Sequence, residues 1–202
     1  DREVIALDDL EPPGVDQEQI DRLQRAMYTD SQHVAVAAAA RLAGYDVTLT
    51  GTGAEVAGVV SSAPAAAAIE EGDVIVAVDG RAIGTAAELR DAVKDRPAGQ
   101  TVELTLERSG ATLLVSVEIA ELPDIAGATG IGVLAYTRDL DVSVPFEVSF
   151  RDRPEIGGPS AGLAFALAIT DMLDESDDAA GRAIAATGTI AVDGTVGAVG
   201  GV

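Results

Sequence analysis

The run Gly157-Gly158-Pro159-Ser160-Ala161-Gly162 puts one hydroxyl nucleophile in front of the apolar stretch Leu163–Leu173, which has the length of a helix. Pro159 suits the first turn of that helix. Free N–H groups at a helix start favour negative charge, which fits an activated serine and the oxyanion it would generate. Gly157, Gly158 and Gly162 carry no side chains, so a substrate backbone has room to approach. A serine is equally an ordinary helix N-cap. From these residues alone both readings stand.

A serine nucleophile needs a general base. His33 and Lys94 are the only histidine and lysine in the chain. Lys94 ends a charge-rich helix, where solvent keeps an ammonium protonated. A catalytic lysine must instead be desolvated. His33 falls in the first turn of an alanine-rich helix and reads as a surface residue. Neither suits the role, so the base is expected outside the residues shown. The chain starts at Asp1-Arg2-Glu3 without Met and stops inside a glycine pattern at Gly200-Gly201-Val202, so it is expected to be an excised piece of a longer protein.

Composition narrows the function classes. Of 202 residues, 34 are acidic and 13 basic, a formal charge of −21. That sign argues against nucleic-acid binding and against attraction to anionic lipid. There is no cysteine, which excludes disulfides and thiolate chemistry. A single histidine excludes any site with two His ligands, and no metal or cofactor is expected. No apolar run reaches the ~18 residues that would span a membrane. Apolar residues make up 48% but aromatics only 3%, so the cores are expected to be built from small aliphatic side chains.

Three segments emerge along the chain. Residues 1–44 hold an extended lead-in with Pro12-Pro13-Gly14, a helix from Gln17 to Tyr28 opened by an Asp16/Gln19 capping box, and a second helix from Gln32 to Ala43 that Gly44 ends. Residues 45–122 carry strand-like runs at Asp46–Thr50, Glu55–Val60 and Asp73–Val78, a tight turn at Asp79-Gly80, and a helix from Ala86 with a Thr85/Glu88 capping box. An alternating pair, Val102–Arg108 and Leu113–Ile119, follows. Residues 123–202 hold a short link to Thr129, then strands at Ile131–Tyr136 and Val142–Phe150. The Ser160 helix follows, then a buried strand at Arg182–Thr187 and a pair flanking Asp193-Gly194. The fold class expected is α+β.

Two resemblances give these segments a frame. The run from Val59 to Gly80, with Ser62-Ala63-Pro64-Ala65, Gly72-Asp73, Ile75 and Asp79-Gly80 in register, resembles a PDZ domain of the bacterial protease-associated type over about residues 47–120. The resemblance implies a β-rich module with two helices, whose ligand adds as a strand beside Glu55–Val60 and under Ala86–Val93. A terminal carboxylate would sit in the backbone nest around Gly51, Thr52, Gly53 and Ala54, with Val56 and Leu89 lining the groove. The loop lacks the bulky apolar residue usual in the family. Asp73 and Asp79 are turn and strand-start residues in this frame, not a catalytic pair. The module either takes a peptide or docks within its own chain.

The second resemblance joins Gly157–Gly162 to Ala185–Ile190 and Val192–Val202, and is to the proteolytic domain of Lon proteases over about residues 130–202. With the upstream PDZ it is similar to the PDZ-containing, Lon-like proteases of bacteria, which are anchored to the membrane, face outward and lack an ATPase. It implies an incomplete α/β domain with Ser160 as nucleophile of a Ser–Lys dyad and Thr187 positioning the lysine. It also implies an oxyanion hole from the N–H groups of Ser160 and Ala161 beside Gly157 and Gly158. The lysine is implied three residues after Val202, and rings of six subunits are implied. Gly157 stands where many such domains carry an acidic residue, with Asp152 and Glu155 slightly upstream. No phosphate loop is present, and Gly194–Gly201 matches no nucleotide fingerprint. The expected function is ATP-independent endopeptidase action on polypeptides, inactive in residues 1–202 alone. The alternative is a PDZ scaffold with a degenerate docking domain.

Overall fold

A computed structural model describes residues 15–121, 129–151, 156–174, 181–197 and 199. Helix α1 (Gln17–Leu42) runs unbroken where two helices are expected. Asp30 and Ser31 do not restart it, because Ser31 spends its hydroxyl on the Tyr28 carbonyl at 2.7 Å within the same helix. The Asp16/Gln19 box forms, with reciprocal 2.9 Å bonds. At the other end Gly44 adopts φ 84°, and the Tyr45 N–H reaches the Ala40 carbonyl while Gly44 reaches Arg41, a Schellman closure.

The remaining elements, in order, are β1 (Thr48–Thr50), β2 (Ala54–Val59), β3 (Val74–Val78), β4 (Arg81–Ala82), α2 (Ala86–Val93), β5 (Thr101–Arg108), β6 (Ala111–Glu118), β7 (Ala120–Glu121), β8 (Thr129–Gly130), β9 (Val133–Thr137), β10 (Asp141–Ser143), α3 (Gly162–Leu173), β11 (Thr189–Ile190) and β12 (Val196–Gly197). The architecture is mixed α+β. Two compact units result: residues 15–23 with 52–138, and residues 24–51 with 139–199. Helix α1 contributes its first turns to one unit and the rest to the other.

The first unit is a sheet in the order β6-β5-β3-β2-β9, with β4 on β3, and it carries α2. Its core is aliphatic throughout, with Ile75, Leu104, Leu106, Ile119, Val56 and Val102 almost fully enclosed. The turns match their chemistry: Asp79-Gly80 and Ser109-Gly110 both take positive φ at each residue, as two-residue hairpins require. The Thr85/Glu88 capping box forms and fixes the start of α2. Strand β1, expected in this module, lies instead in the second unit, paired with β10. Strand β9, expected with the serine-bearing segment, completes this sheet.

Asp73 is buried at 1% exposure and is held by a fork from Arg108, Nε to Oδ1 at 2.6 Å and an Nη to Oδ2 at 2.7 Å, with the Glu70 N–H at 2.8 Å. Arg108 also reaches Glu70 and the Ala68 carbonyl. Asp79 binds the Glu103 N–H and Arg96. Both aspartates are therefore structural, as the PDZ frame implies.

In the second unit, Ala35, Val36 and Ala39 of α1 cluster with Ala166 and Ile169 of α3. All three phenylalanines are here: Phe165 meets Tyr28 and Phe150 edge-on, and Phe146 meets Tyr45. The strand expected at Val142–Phe150 is paired only over β10. Beyond it, burial still alternates, with Val144, Phe146, Val148 and Phe150 turned to the cluster, but these residues have no ladder partner among the described residues. The buried strand expected at Arg182–Thr187 is mostly exposed and irregular, with Ile184 at 62% exposure. Apolar residues set a strand's face, but only a neighbouring strand makes it a strand. The link at 122–128 lies outside the described residues.

Two outcomes follow. Arg108→Ala strands the buried Asp73 carboxylate, so the urea midpoint should drop by an amount worth about 3 kcal/mol. The Glu103 N–H, and next Arg96, hold the Asp79 carboxyl below its usual range. Its folded value is depressed, so its contribution to stability is present above the unfolded value of about 3.9 and is lost as pH falls through the folded value. Asp79→Asn should flatten the acid limb of a stability–pH curve and leave the neutral-side slope unchanged.

Candidate functional site

Ser160 sits in a 3-10 turn, Pro159–Ala161, that runs directly into α3. Neither helix start has a side-chain cap, and the Ser160 hydroxyl has no hydrogen-bond partner among the described residues. The capping role left open by the sequence is therefore not what this serine does. Its main chain is held instead. The Gly188 N–H donates to the Ser160 carbonyl at 2.8 Å and the Thr187 hydroxyl to the same oxygen at 3.3 Å. The Leu163 N–H returns a bond to the Gly188 carbonyl at 3.0 Å. The structure thus brings Ser160 and Thr187 together, with Thr187 bonded to the serine's backbone.

The glycines have packing roles. Gly158 is buried, with φ 77° and ψ 166°, a region essentially reserved for glycine. Its N–H donates to the Gln24 carbonyl of α1 at 2.8 Å. A Cβ on Gly157 would lie 3.1 Å from the Gln24 Cβ, and one on Gly162 3.2 Å from an Ile190 methyl. The bare side of Gly157, Gly158 and Gly162 thus faces α1 and β11, whereas the sequence suggested room for substrate. Ala161 is half-buried. The hairpin β11–β12 supports this arrangement. Gly194 turns it at φ 85°, and the Thr195 N–H binds the Asp193 carboxyl at 2.9 Å, holding it below its usual range. Residues 200–202, Asp152 and Glu155 lie outside the described residues.

The candidate bases separate cleanly. Lys94 closes α2 in the first unit, half-exposed and paired with Asp91 at 2.9 Å. Asp91 is in turn held below its usual range, chiefly by that lysine. His33 is not at the surface of a first turn. It lies mid-helix in α1, half-buried, with Nδ1 enclosed and unpartnered among the described residues. It lines a cavity of about 570 Å³ with Val36 of α1 and the 141–150 stretch, including Asp141, Glu147, Phe146 and Phe150. The spacing of His33 to Val36 on one helical face was the signal for this placement.

The peptide groove differs most from expectation. Ala54, Val56 and Leu89 are enclosed in the core. Two of the loop N–H groups are engaged: Thr52 donates to the Arg138 carbonyl and Gly53 to that of Gly84, both at 2.9 Å. The outer edge of β2 is paired with β9 over Ala54–Val59. Among the described residues, no helix is long and apolar enough to cross a membrane, and no group of three His, Cys, Asp or Glu side chains is placed to hold a metal ion.

Residues 29–119 match the family model of the PDZ domain, and the chain carries this peptide-binding module. A stretch of 67 residues is 37% identical to the pro-apoptotic serine protease NMA111 of Phaeosphaeria nodorum, covering 33% of this chain. The chain spans only 6% of that relative's length. Among solved structures, the PDZ domain of the SdrC-like protein of Listeria monocytogenes is 25% identical, with a TM-score of 0.39, covering 42% of this chain and 87% of that one. The corresponding domain from Listeria innocua is 26% identical, with a TM-score of 0.38, covering 41% and 92%.

Gly158→Ala forces an L side chain into the glycine-only region, at a cost of about 2 kcal/mol. A thermal melt should fall accordingly, whereas Gly181→Ala, at φ 73° with nothing within 4 Å of the added Cβ, should cost less.

Proposed function

We propose that this chain is part of an ATP-independent serine endopeptidase of Lon-like type, with Ser160 as nucleophile and a PDZ module that engages polypeptide. The observation that carries the reading is the uncapped Ser160 hydroxyl at the head of α3, with its carbonyl pinned by Gly188 and Thr187. A serine that stabilised the helix would spend its oxygen on a backbone N–H. This one keeps it, while the main chain behind it is fixed. The Ser160 N–H, in the first turn, is among the helix-start donors that stabilise an oxyanion.

In this reading the Ser160 oxygen attacks the scissile carbonyl and its proton passes to a lysine base. The departing amine takes that proton, and water then cleaves the serine ester. The lysine is the one that the Lon-like resemblance places three residues after Val202. Lys94 does not serve, because its ammonium is committed to Asp91 in the other unit. The same resemblance supports a membrane-anchored, outward-facing parent protein that assembles as hexamers. It needs no metal, cofactor or nucleotide.

The test is cleavage of denatured casein by the full-length parent protein. Ser160→Ala should lower kcat/KM by about 10³-fold or more with the circular dichroism unchanged. The wild-type pH–rate profile should rise with a base titrating well below an exposed lysine. Undiminished cleavage in Ser160→Ala would remove the nucleophile. A parent protein with no cleavage at all, yet with peptide binding, would favour the scaffold reading.

A further inference from the structure

Strand β6 (Ala111–Glu118) ends the sheet of the first unit, so one of its edges faces away from β5. Its register with β5 runs from Arg108↔Ala111 to Thr101↔Glu118 without a break. The two-residue turn Ser109-Gly110, with positive φ at both residues, makes Arg108↔Ala111 a hydrogen-bonded pair. Bonds to β5 therefore fall on Ala111, Leu113, Val115 and Val117, and Ile119 keeps that phase with bonds to Gln100 and Gly99. The N–H and C=O groups of Thr112, Leu114, Ser116 and Glu118 point outward instead. Among the described residues nothing bonds to them. The four side chains are exposed as well, Leu114 at 63%.

Sheet edges of this length are ordinarily protected by proline, lysine, an inward charge or a bulge. Strand β6 has none of these. Residues Ala111-Thr112-Leu113-Leu114-Val115-Ser116-Val117 are uncharged and free of proline, and the ladder has no irregularity, unlike those of β2 with β9 and of β3 with β5. Charge selects the occupant. The chain carries a formal charge of −21, so most surfaces of two copies repel each other. On β6 only Glu118 is charged, and it stands at one end. Antiparallel pairing of two copies, with the symmetry axis at Val115, sets Leu114 opposite Ser116 of the partner subunit and Thr112 opposite Glu118 of the partner subunit. The two Glu118 carboxylates then lie at opposite ends of the pair, and the two Leu114 side chains are diagonal neighbours that cover each other. Every outward residue of both strands is bonded. An axis at Leu114 would instead leave Glu118 opposite the turn at Gly110.

We propose that β6 is a self-association edge, through which two copies of this chain join their PDZ sheets antiparallel across an axis at Val115. The inference rests on the edge of the sheet and not on the chemistry of Ser160. A single strand pair lies at the low end of specific interfaces, below about 1,200 Å². The dimer is therefore weak and its population follows concentration. Two PDZ modules joined in this way act on a polypeptide with two sites as one bivalent binder.

The test is sedimentation equilibrium of the full chain from about 5 µM to about 500 µM. Two variants accompany the wild type. Leu114→Lys places an edge-protecting residue where the side chain is exposed in the single chain. Ser116→Pro removes an outward N–H and no bond to β5. Wild type should move from the monomer toward twice its mass across the range, while both variants stay monomeric with unchanged circular dichroism. A further pair of variants reads the register. Val115→Cys carries the only thiol in the chain, and its two copies would stand about 4.5 Å apart, Cα to Cα, at the axis. Mild oxidation should give a covalent dimer about 10-fold faster than with Thr112→Cys, whose two copies lie at opposite ends of the strand pair, beyond disulfide reach. A wild type that stays monomeric throughout overturns the proposal. So does association that Leu114→Lys leaves intact, or equal cross-linking of the two cysteine variants. If Ser116→Pro or Val115→Cys does not fold, Leu114→Lys decides. The readouts are mass and cross-linking, so loss of the peptidase reading would leave them unaffected.

Discussion

A strand cannot leave its hydrogen-bonding edge bare without consequence, and β2 is the strand on which the first unit depends. It carries the glycine loop at its start, lies next to the Gly72-Asp73 turn and shares the aliphatic core with α2. Its inner edge is only briefly covered, by two residues of β3. The longer pairing is with β9. The same contact completes the sheet and closes the aliphatic core over Ile131, Val133 and Ala135. Asp73 acts from the other side. Its carboxyl, enclosed and forked by Arg108, fixes the turn that sends the chain from the Pro64–Ala67 helical turn into β3.

Much of the first unit was legible because its signals are local. Thr85 with Glu88, Asp16 with Gln19, Asp79-Gly80 and Ser109-Gly110 each specify their geometry within four residues, and each forms. Strand β9 was legible as a strand but not as a member of this sheet. Alternation in Ile131–Tyr136 declares a face, and nothing in it declares a neighbour. The opposite held at Arg182–Thr187, where apolar residues suggested a strand that has no neighbour among the described residues. His33 was misplaced for a related reason: splitting α1 at Asp30 moved it from a half-buried mid-helix position to an exposed first turn.

The serine-bearing unit shows how position was legible and contacts were not. The helix after Ser160 and the hairpin about Asp193-Gly194 fall where the sequence puts them. The partnership of Ser160 with Thr187-Gly188 was implied by resemblance, but the atom involved is the serine's carbonyl. The glycines around it read as clearance for a visitor and turn out to be clearance for α1 and for Ile190. Absent side chains show only that something comes close. Which body comes close is a matter of tertiary structure.

Strands β1 and β10 pair antiparallel through Thr48↔Ser143, Leu49↔Val142 and Thr50↔Asp141. They pair as the arms of a hairpin do, although residues 52–138 separate them along the chain. Closure entropy grows only logarithmically with loop length, and a folded insert with adjacent ends costs less than a floppy one of equal length. The pairing therefore costs little more chain entropy than a far shorter connection would, and the short sheet of the second unit does not require its strands to be neighbours in sequence.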